Sequence, residues 1–458
     1  MKASGAFGLA GVAWRVLRGE GVRAARDRAW DRWLEVRRRR SFRPATAAPP
    51  GFRASVLNVA AVPPAPRLGG VQAQLLCRLA AEAERRAVAL LHPEPGGGYR
   101  LELQDGRRRH ALAIPGGPLA AVGLADPAFE AAVHQAAEAV GSRALVVEGL
   151  AGLPLGSLLR LRQDGLRLLL ALHDFSAFCL RPHLLESTEP PRFCAYSRDA
   201  QRCLRCLHQD WPEVAVGFQE ERRAVAQELL AGADTLIFPS EFLRRAYLDL
   251  FPALTTASAP ARVIPPSSDG RRRTAGRDRV LSPVHVAFLG GAQPHKGALF
   301  FDETLVALAG AGEGLRFSVY GGGGDWRLLA RWRRFPSSRV RVRGYYRYGS
   351  LPSLLLGDRV DLALLLSIVP ESYSLVLDEC SSAGVPVIAS ALGALAERVP
   401  ACGGLLLPAE AAAPDLARLL GALSRGEAPL PAPLPCPTPS SGDVAAAWLA
   451  LYSALGLV

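Results

Sequence analysis

The chain has 458 residues, 49% of them apolar, and a formal charge of +12. That length exceeds one ordinary core and suits two domains of roughly 200 residues each. No run approaches the ~18 to 20 continuous apolar residues of a membrane span, residues 3–14 show no cleavage site of an export signal, and neither zinc-finger spacing nor a ribonucleoprotein motif is present, so nucleic acid is an unlikely partner despite the basic charge.

Residues 1–45 carry 12 basic and 4 acidic side chains and read as a basic helical segment. Trp30, Trp33 and Leu34 fall on one helix face, although Arg28 and Arg32 intrude on it. Two uses fit: a helix packed on the protein's own surface, or one lying on an anionic membrane with Arg37 to Arg40 at the headgroups. Residues 44–51 read as a linker, which closes a first segment at 1–50.

From 51 to 266, apolar strands alternate with helices. Strands are expected at 54–60, 87–91, 144–147, 168–172 and 233–238, with a helix over 70–83 and another opening at Ser240. Such continuous apolar strands point to a parallel sheet covered on both faces. The polar stretch 267–283 is a linker. The alternation resumes over 284–427, with strands at 284–289, 317–320, 340–343, 361–366 and 385–389 and helices after Asp325 and Ser374. Residues 428–458 hold a Pro-rich crossover and a last helix near 443–455. Two doubly wound halves would place a ligand cleft at the carboxyl ends of their strands.

Eight cysteines occur. Cys77, Cys380, Cys402 and Cys436 stand singly and read as buried thiols of a reducing cytosol. Cys179, Cys194, Cys203 and Cys206 cluster as C-x14-C-x8-C-x2-C in a segment near 176–212. That set fits a structural zinc site, reduced thiols or disulfides.

The strongest motif runs from Glu371 through Ser374, Leu375 and Val376 to Glu379, followed by Ala383-Gly-Val-Pro-Val. A helix starting near Ser374 would offer free N–H groups to an anion, with one glutamate before it and one inside it. The second motif, Phe288-Leu-Gly-Gly-Ala-Gln-Pro-His-Lys296-Gly297, ends in one of only two lysines in the chain. These segments resemble the Glu-x7-Glu and Lys-Gly regions of retaining glycosyltransferases of family 4.

The resemblance covers roughly 54–425 and implies the GT-B architecture, an α/β fold of two Rossmann-like, doubly wound domains facing across a cleft. It also implies transfer of a sugar from a nucleotide-sugar donor to a glycan or lipid-linked glycan acceptor, with retention of configuration and no required cofactor. By resemblance, Glu371 contacts the donor sugar, Glu379 the nucleotide ribose, and Lys296 with the backbone of Ser374, Leu375 and Val376 the diphosphate. Gly321 and Gly322 correspond to a glycine-rich turn near the base, Gly69 and Gly70 to a loop beneath the donor phosphate and acceptor, and His173 to a histidine near the reacting centre. The family's phosphate-binding arginine falls at Gly291, a departure that leaves room for a degenerate, non-catalytic binding or scaffold protein. The setting implied is cytoplasmic surface-polysaccharide or glycolipid assembly, peripheral at the membrane's inner face.

Overall fold

A computed structural model describes residues 21–65, 70–120, 122–255, 259–268, 283–308 and 314–458. It divides into two compact units, one of residues 35–267 with 438–458, the other of the described residues up to Leu34 with 268–437.

The first unit holds β1 (Arg43–Ala45), β2 (Leu57–Val59), β3 (Val88–Pro93), β4 (Tyr99–Asp105), β5 (Arg108–Ile114), β6 (Ala144–Glu148), β7 (Arg167–Ala171), a separate β8 (Leu185–Glu186) and β9 (Arg192–Phe193) hairpin, β10 (Thr235–Phe238) and β11 (Ala261–Val263). Nine of them form one sheet in the order β1-β5-β4-β3-β2-β6-β7-β10-β11. The strands expected at 54–60, 87–91, 144–147, 168–172 and 233–238 are its parallel centre. The purely parallel sheet is corrected, because β4 runs antiparallel to both β3 and β5. The causes are local: a turn at 94–98, where Glu94 N donates to Gly98 O at 2.9 Å, reverses the chain between β3 and β4, and Gly106, at φ +54°, with Arg107 closes a two-residue turn between β4 and β5, a geometry that glycine favours.

Side chains alternate across these central strands. Leu57, Leu145, Val147, Leu168 and Leu170 belong to the main core. Val56, Ala144, Val146, Leu169 and Ala171 face Val444, Trp448 and Tyr452 of helix Ser441–Ala454. Ser240 caps its helix as expected, accepting from Leu243 N at 3.1 Å.

The second unit holds β12 (Val284–Leu289), β13 (Leu315–Tyr320), β14 (Val340–Gly344), β15 (Leu362–Leu365), β16 (Val387–Ser390) and β17 (Leu405–Leu407). All neighbours are parallel and the order is β14-β13-β12-β15-β16-β17. Strand order therefore reverses between β12 and β15, the crevice where open α/β sheets bind ligands. Both faces are covered: Val286 and Phe288 pack toward Phe301 and Trp332, while Ala287 and Leu289 join Leu377 and Val387 on the other side.

Helix Val22–Arg40, whose residues up to Leu34 belong to this unit, buries Ala24 and Asp31 and leaves the expected Trp30, Trp33, Leu34 face in solvent, both tryptophans nearly half exposed. Asp31 is held by the Tyr345 hydroxyl at 2.6 Å. The expectation of four single thiols is also corrected. Cys402 and Cys436 form a disulfide, because the Pro-rich crossover returns to the turn at Pro400–Cys402, with Leu434 N donating to Cys402 O at 2.9 Å. Cys380 is a buried thiol.

Candidate functional site

The loops leaving β12 and β15 meet at the switch point of the C-terminal sheet. Gly297 has φ +79°, and a Cβ there would collide with the carbonyl of Leu366. Only glycine allows both that conformation and that approach. Ile368 N donates to His295 O at 3.1 Å and completes the join. Lys296 Nζ consequently stands 2.6 Å from Glu371 Oε1, which also accepts from the Ser367 hydroxyl. Burial alone would raise the Glu371 carboxyl, but Lys296 beside it outweighs that and holds it below the usual carboxylate range. The Glu371 backbone is clasped from β16's far side. Ala394 N donates to Glu371 O at 2.8 Å, and Gly393, at φ +64°, leaves no room for a side chain against it.

Three residues on, Ser374 takes φ +75°, a left-handed conformation unusual for serine, and helix Leu375–Ser382 begins. Strain of this kind persists only where the surroundings enforce it. Here Arg398 does so. Its guanidinium donates to Tyr373 O at 2.9 Å and Ser374 O at 3.2 Å, pairs with Asp378, and lies 3.7 Å from the centre of the Tyr373 ring. Leu375 and Val376 thus supply the first N–H groups of a helix, donors suited to an anion. One turn inside, burial pushes the Glu379 carboxyl up to about 8, against the pull of Gly349 N–H. Its Oε1 is buried without a hydrogen-bond partner. Such an acceptor is open to a hydroxyl donated from outside the chain.

The glycines of the other two motifs pack against each other. A Cβ on Gly291, at φ +57°, would lie 2.8 Å from Gly321 O, and one on Gly321 would lie 2.7 Å from Gly291 N. Gly324 meets Ala292 in the same way, while Gly322 accepts from Gln293 Nε2 at 3.1 Å. This pairing explains the missing arginine: position 291 has neither the backbone conformation nor the space for one.

In the N-terminal unit, His173 follows β7 and Glu148 ends β6. His173 Nε2 lies 3.9 Å from Glu148 Oε2, and the histidine is a quarter exposed. Glu148 pairs with Arg78, whose guanidinium also reaches Asn58 Oδ1 at 2.9 Å and stacks 3.9 Å over Trp448. Gly70 opens helix Gly70–Glu82, which carries Arg78. Gly69 lies outside the described residues. Asn58, a polar residue inside the apolar run Val56-Leu-Asn-Val-Ala, and Glu148 at a strand end were the available signals for this network. Arg78 carried none, nor did Ser367, Gly393 or Arg398 in the other unit.

The four clustered cysteines line one small cavity with Arg181, Glu186 and Arg223. Burial pushes the Cys179 thiol up to about 11. Among the described residues, no group of three or more His, Cys, Asp or Glu side chains is placed to hold a metal ion.

Residues 283–425 match the family model described as Glycosyl transferases group 1, so the chain carries a domain of that family. No curated protein matches the sequence. Among solved structures, sucrose-phosphate synthase from Thermosynechococcus elongatus is 19% identical with a TM-score of 0.57, covering 88% of this chain and 99% of its own. HepE of Anabaena, in complex with UDP and glucose, is 18% identical with a TM-score of 0.53, covering 87% and 99%. The catalytic domain of starch synthase IV from Arabidopsis thaliana, bound to ADP and acarbose, is 13% identical with a TM-score of 0.56, covering 88% and 99%. These likenesses establish the fold as GT-B: α/β, with parallel sheets in two domains.

Proposed function

We propose that this chain, carrying a glycosyl transferases group 1 domain, is a retaining, family 4-like glycosyltransferase. It moves a sugar from a nucleoside-diphosphate sugar to a glycan or lipid-linked glycan. The observation that carries this reading is the Lys296–Glu371 pair at the switch point of β12 and β15, three residues before a helix N-terminus and within a turn of the buried, half-satisfied Glu379. The complexes of HepE with UDP and glucose and of starch synthase IV with ADP and acarbose agree with a nucleotide and a sugar as ligands.

Each group has a role in this reading. The diphosphate lies at the N–H groups of Leu375 and Val376 and draws the Lys296 ammonium from Glu371. Glu371, released from that pair, takes the donor-sugar hydroxyls, and Glu379 the ribose hydroxyls. Gly321 and Gly322 border the base, Gly69 and Gly70 belong beneath the donor phosphate and acceptor, and His173 near the reacting centre. The bond between the anomeric carbon and the phosphate oxygen breaks while the acceptor oxygen bonds to the same face. The acceptor proton passes to the departing diphosphate, and preorganised cation and dipoles hold the charge that develops there. No metal or other cofactor is needed for this chemistry. The exposed Trp30 and Trp33 suit work at the inner face of a membrane, while Arg38 and Arg39 of the adjoining basic run pair with Glu102 and Glu94. No helix among the described residues is long and apolar enough to cross one.

The test is release of nucleoside diphosphate from a panel of nucleotide sugars, with donor binding read on the same samples. One donor should be slowly hydrolysed, and Lys296→Ala should lower the rate by about 10²- to 10³-fold. Neither binding nor release with any donor would replace this reading with a non-catalytic binding or scaffold protein. A trapped covalent sugar–enzyme adduct would replace the same-face mechanism with double displacement.

A further inference from the structure

We propose that the first unit carries a binding site for a small amphipathic anion, an apolar chain with a phosphate or carboxylate head, in a cavity beside helix Gly70–Glu82. Alternate residues of β3 face opposite sides of the sheet. Ala89 and Leu91 join the main core, while Val88 and Leu90 pack with Leu79 of that helix. A cavity of about 190 Å³ opens on this second side. Leu76, Leu79, Val88 and Leu90 form its apolar wall, and Arg38, Glu102 and Arg109 its polar wall. Protein interiors leave few voids larger than a water, and an apolar cavity of about 150 Å³ takes up a benzene ring. The space here suits several methylene groups. Its apolar wall offers ordered water none of the polar partners that water needs.

Its place in the fold separates it from the crevice used for sugar transfer. Val88 opens β3, and Leu76 and Leu79 lie in the second half of the helix that returns from the carboxyl end of β2. The cavity therefore sits toward the amino ends of the parallel strands. Open α/β sheets bind their substrates at the carboxyl ends.

Charge gives a second, independent argument. Phe42 also lines the cavity and is buried. Three guanidinium groups lie over its ring, Arg38 at 5.4 Å, Arg109 at 5.6 Å and Arg100 at 5.9 Å from the centre. Glu102 pairs with Arg38 and, at 3.4 Å, with Arg100; Glu94 pairs with Arg39 and, at 4.0 Å, with Arg100. Among the described residues Arg109 pairs with no carboxylate, and its Nη1 donates to Ser41 Oγ at 3.1 Å. Four cations around two carboxylates leave a positive surplus that attracts an anion. The planar fork of a guanidinium matches phosphate and carboxylate oxygens two at a time. A head group on Arg109, with its chain along Leu79, Val88 and Leu90, satisfies both walls at once.

The experiment is calorimetric titration of the full chain with octyl phosphate below its micelle concentration, and separately with inorganic phosphate and with octanol. Octyl phosphate should bind at about one per chain, and each of the other two at least about tenfold more weakly. Arg109→Gln should weaken octyl phosphate by about tenfold. Ala80→Leu, which fills the cavity from an exposed helix position, should abolish binding. Arg108→Gln, exposed and on the opposite face of β5, should bind as the wild type does. Phosphatidylcholine vesicles with and without phosphatidic acid then separate the two sources of such an anion. Capture by the acidic vesicles alone, lost in Arg109→Gln and Ala80→Leu, assigns the site to a membrane lipid; octyl phosphate binding without vesicle capture assigns it to a free amphiphile. No binding of octyl phosphate, equal affinity for octanol or inorganic phosphate, or wild-type affinity in both Arg109→Gln and Ala80→Leu overturns the proposal. These readouts are independent of glycosyl transfer.

Discussion

The two sheets use their switch points differently. At the carboxyl ends of β12 and β15, the site is made by backbone. Gly297 lets one loop touch the other, Gly393 lets a strand-end loop clasp Glu371, and a left-handed Ser374 aims a helix. At β2 and β6, it is made by side chains: Asn58, Arg78 and Glu148 form a buried polar network beside His173. A backbone-built site tolerates no added Cβ. A side-chain network tolerates no removed partner.

The largest effect expected from this contrast is in the network. Arg78→Ala strips the buried Glu148 of its cation and should cost about 3–5 kcal/mol, read as denaturant unfolding of the full chain. Arg78 is almost fully buried between Glu148, Glu82 and Trp448, and the two carboxylates keep it protonated despite burial. A loss below about 1 kcal/mol would show Glu148 to be already well solvated, and the contrast would fail.

The C-terminal counterpart is smaller. Gly297→Ala combines a left-handed alanine with a collision against Leu366 O and should cost about 2–4 kcal/mol. Gly426 has a similar φ, +73°, with nothing within 4 Å of an added Cβ, so Gly426→Ala should cost only about 1–2 kcal/mol. The difference between these two variants measures close approach alone. Equal losses would mean that backbone conformation, and not the meeting of the two loops, sets the requirement at Gly297.

The same contrast explains what the sequence disclosed. The C-terminal motifs were readable because backbone contacts need glycine at fixed offsets from a strand, and Lys296 and Glu371 travel with those glycines. Their reasons were less readable: Gly321, expected near the nucleotide base, is also required by its close contact with the backbone of Gly290 and Gly291. The N-terminal network escaped because residues 58, 78 and 148 meet only through folding, and a buried arginine on a helix has the same local pattern as a surface one. The antiparallel β4 was hidden by the apolar runs around it, although the Asp105-Gly106 turn was in view. The disulfide joins residues 34 apart in sequence, a pairing that depends on where the Pro-rich crossover returns.

The smallest effect separates the two glutamates of the C-terminal site by sign. Glu371 is held below its ordinary range by Lys296, so its contribution to stability is present above the unfolded pKa and is lost as pH falls. Glu379 is pushed the other way, to about 8. Between its unfolded value and about 8, the folded chain keeps a proton that the unfolded chain releases, so stability falls as pH rises through that window. Glu379→Gln cannot titrate and escapes this fall. Its melting temperature should match that of the wild type near about pH 5 and exceed it near about pH 9. A difference that stays flat across this range would mean that water reaches Oε1. The carboxyl would then be an ordinary surface acid, and a ligand hydroxyl would gain little by displacing its solvent.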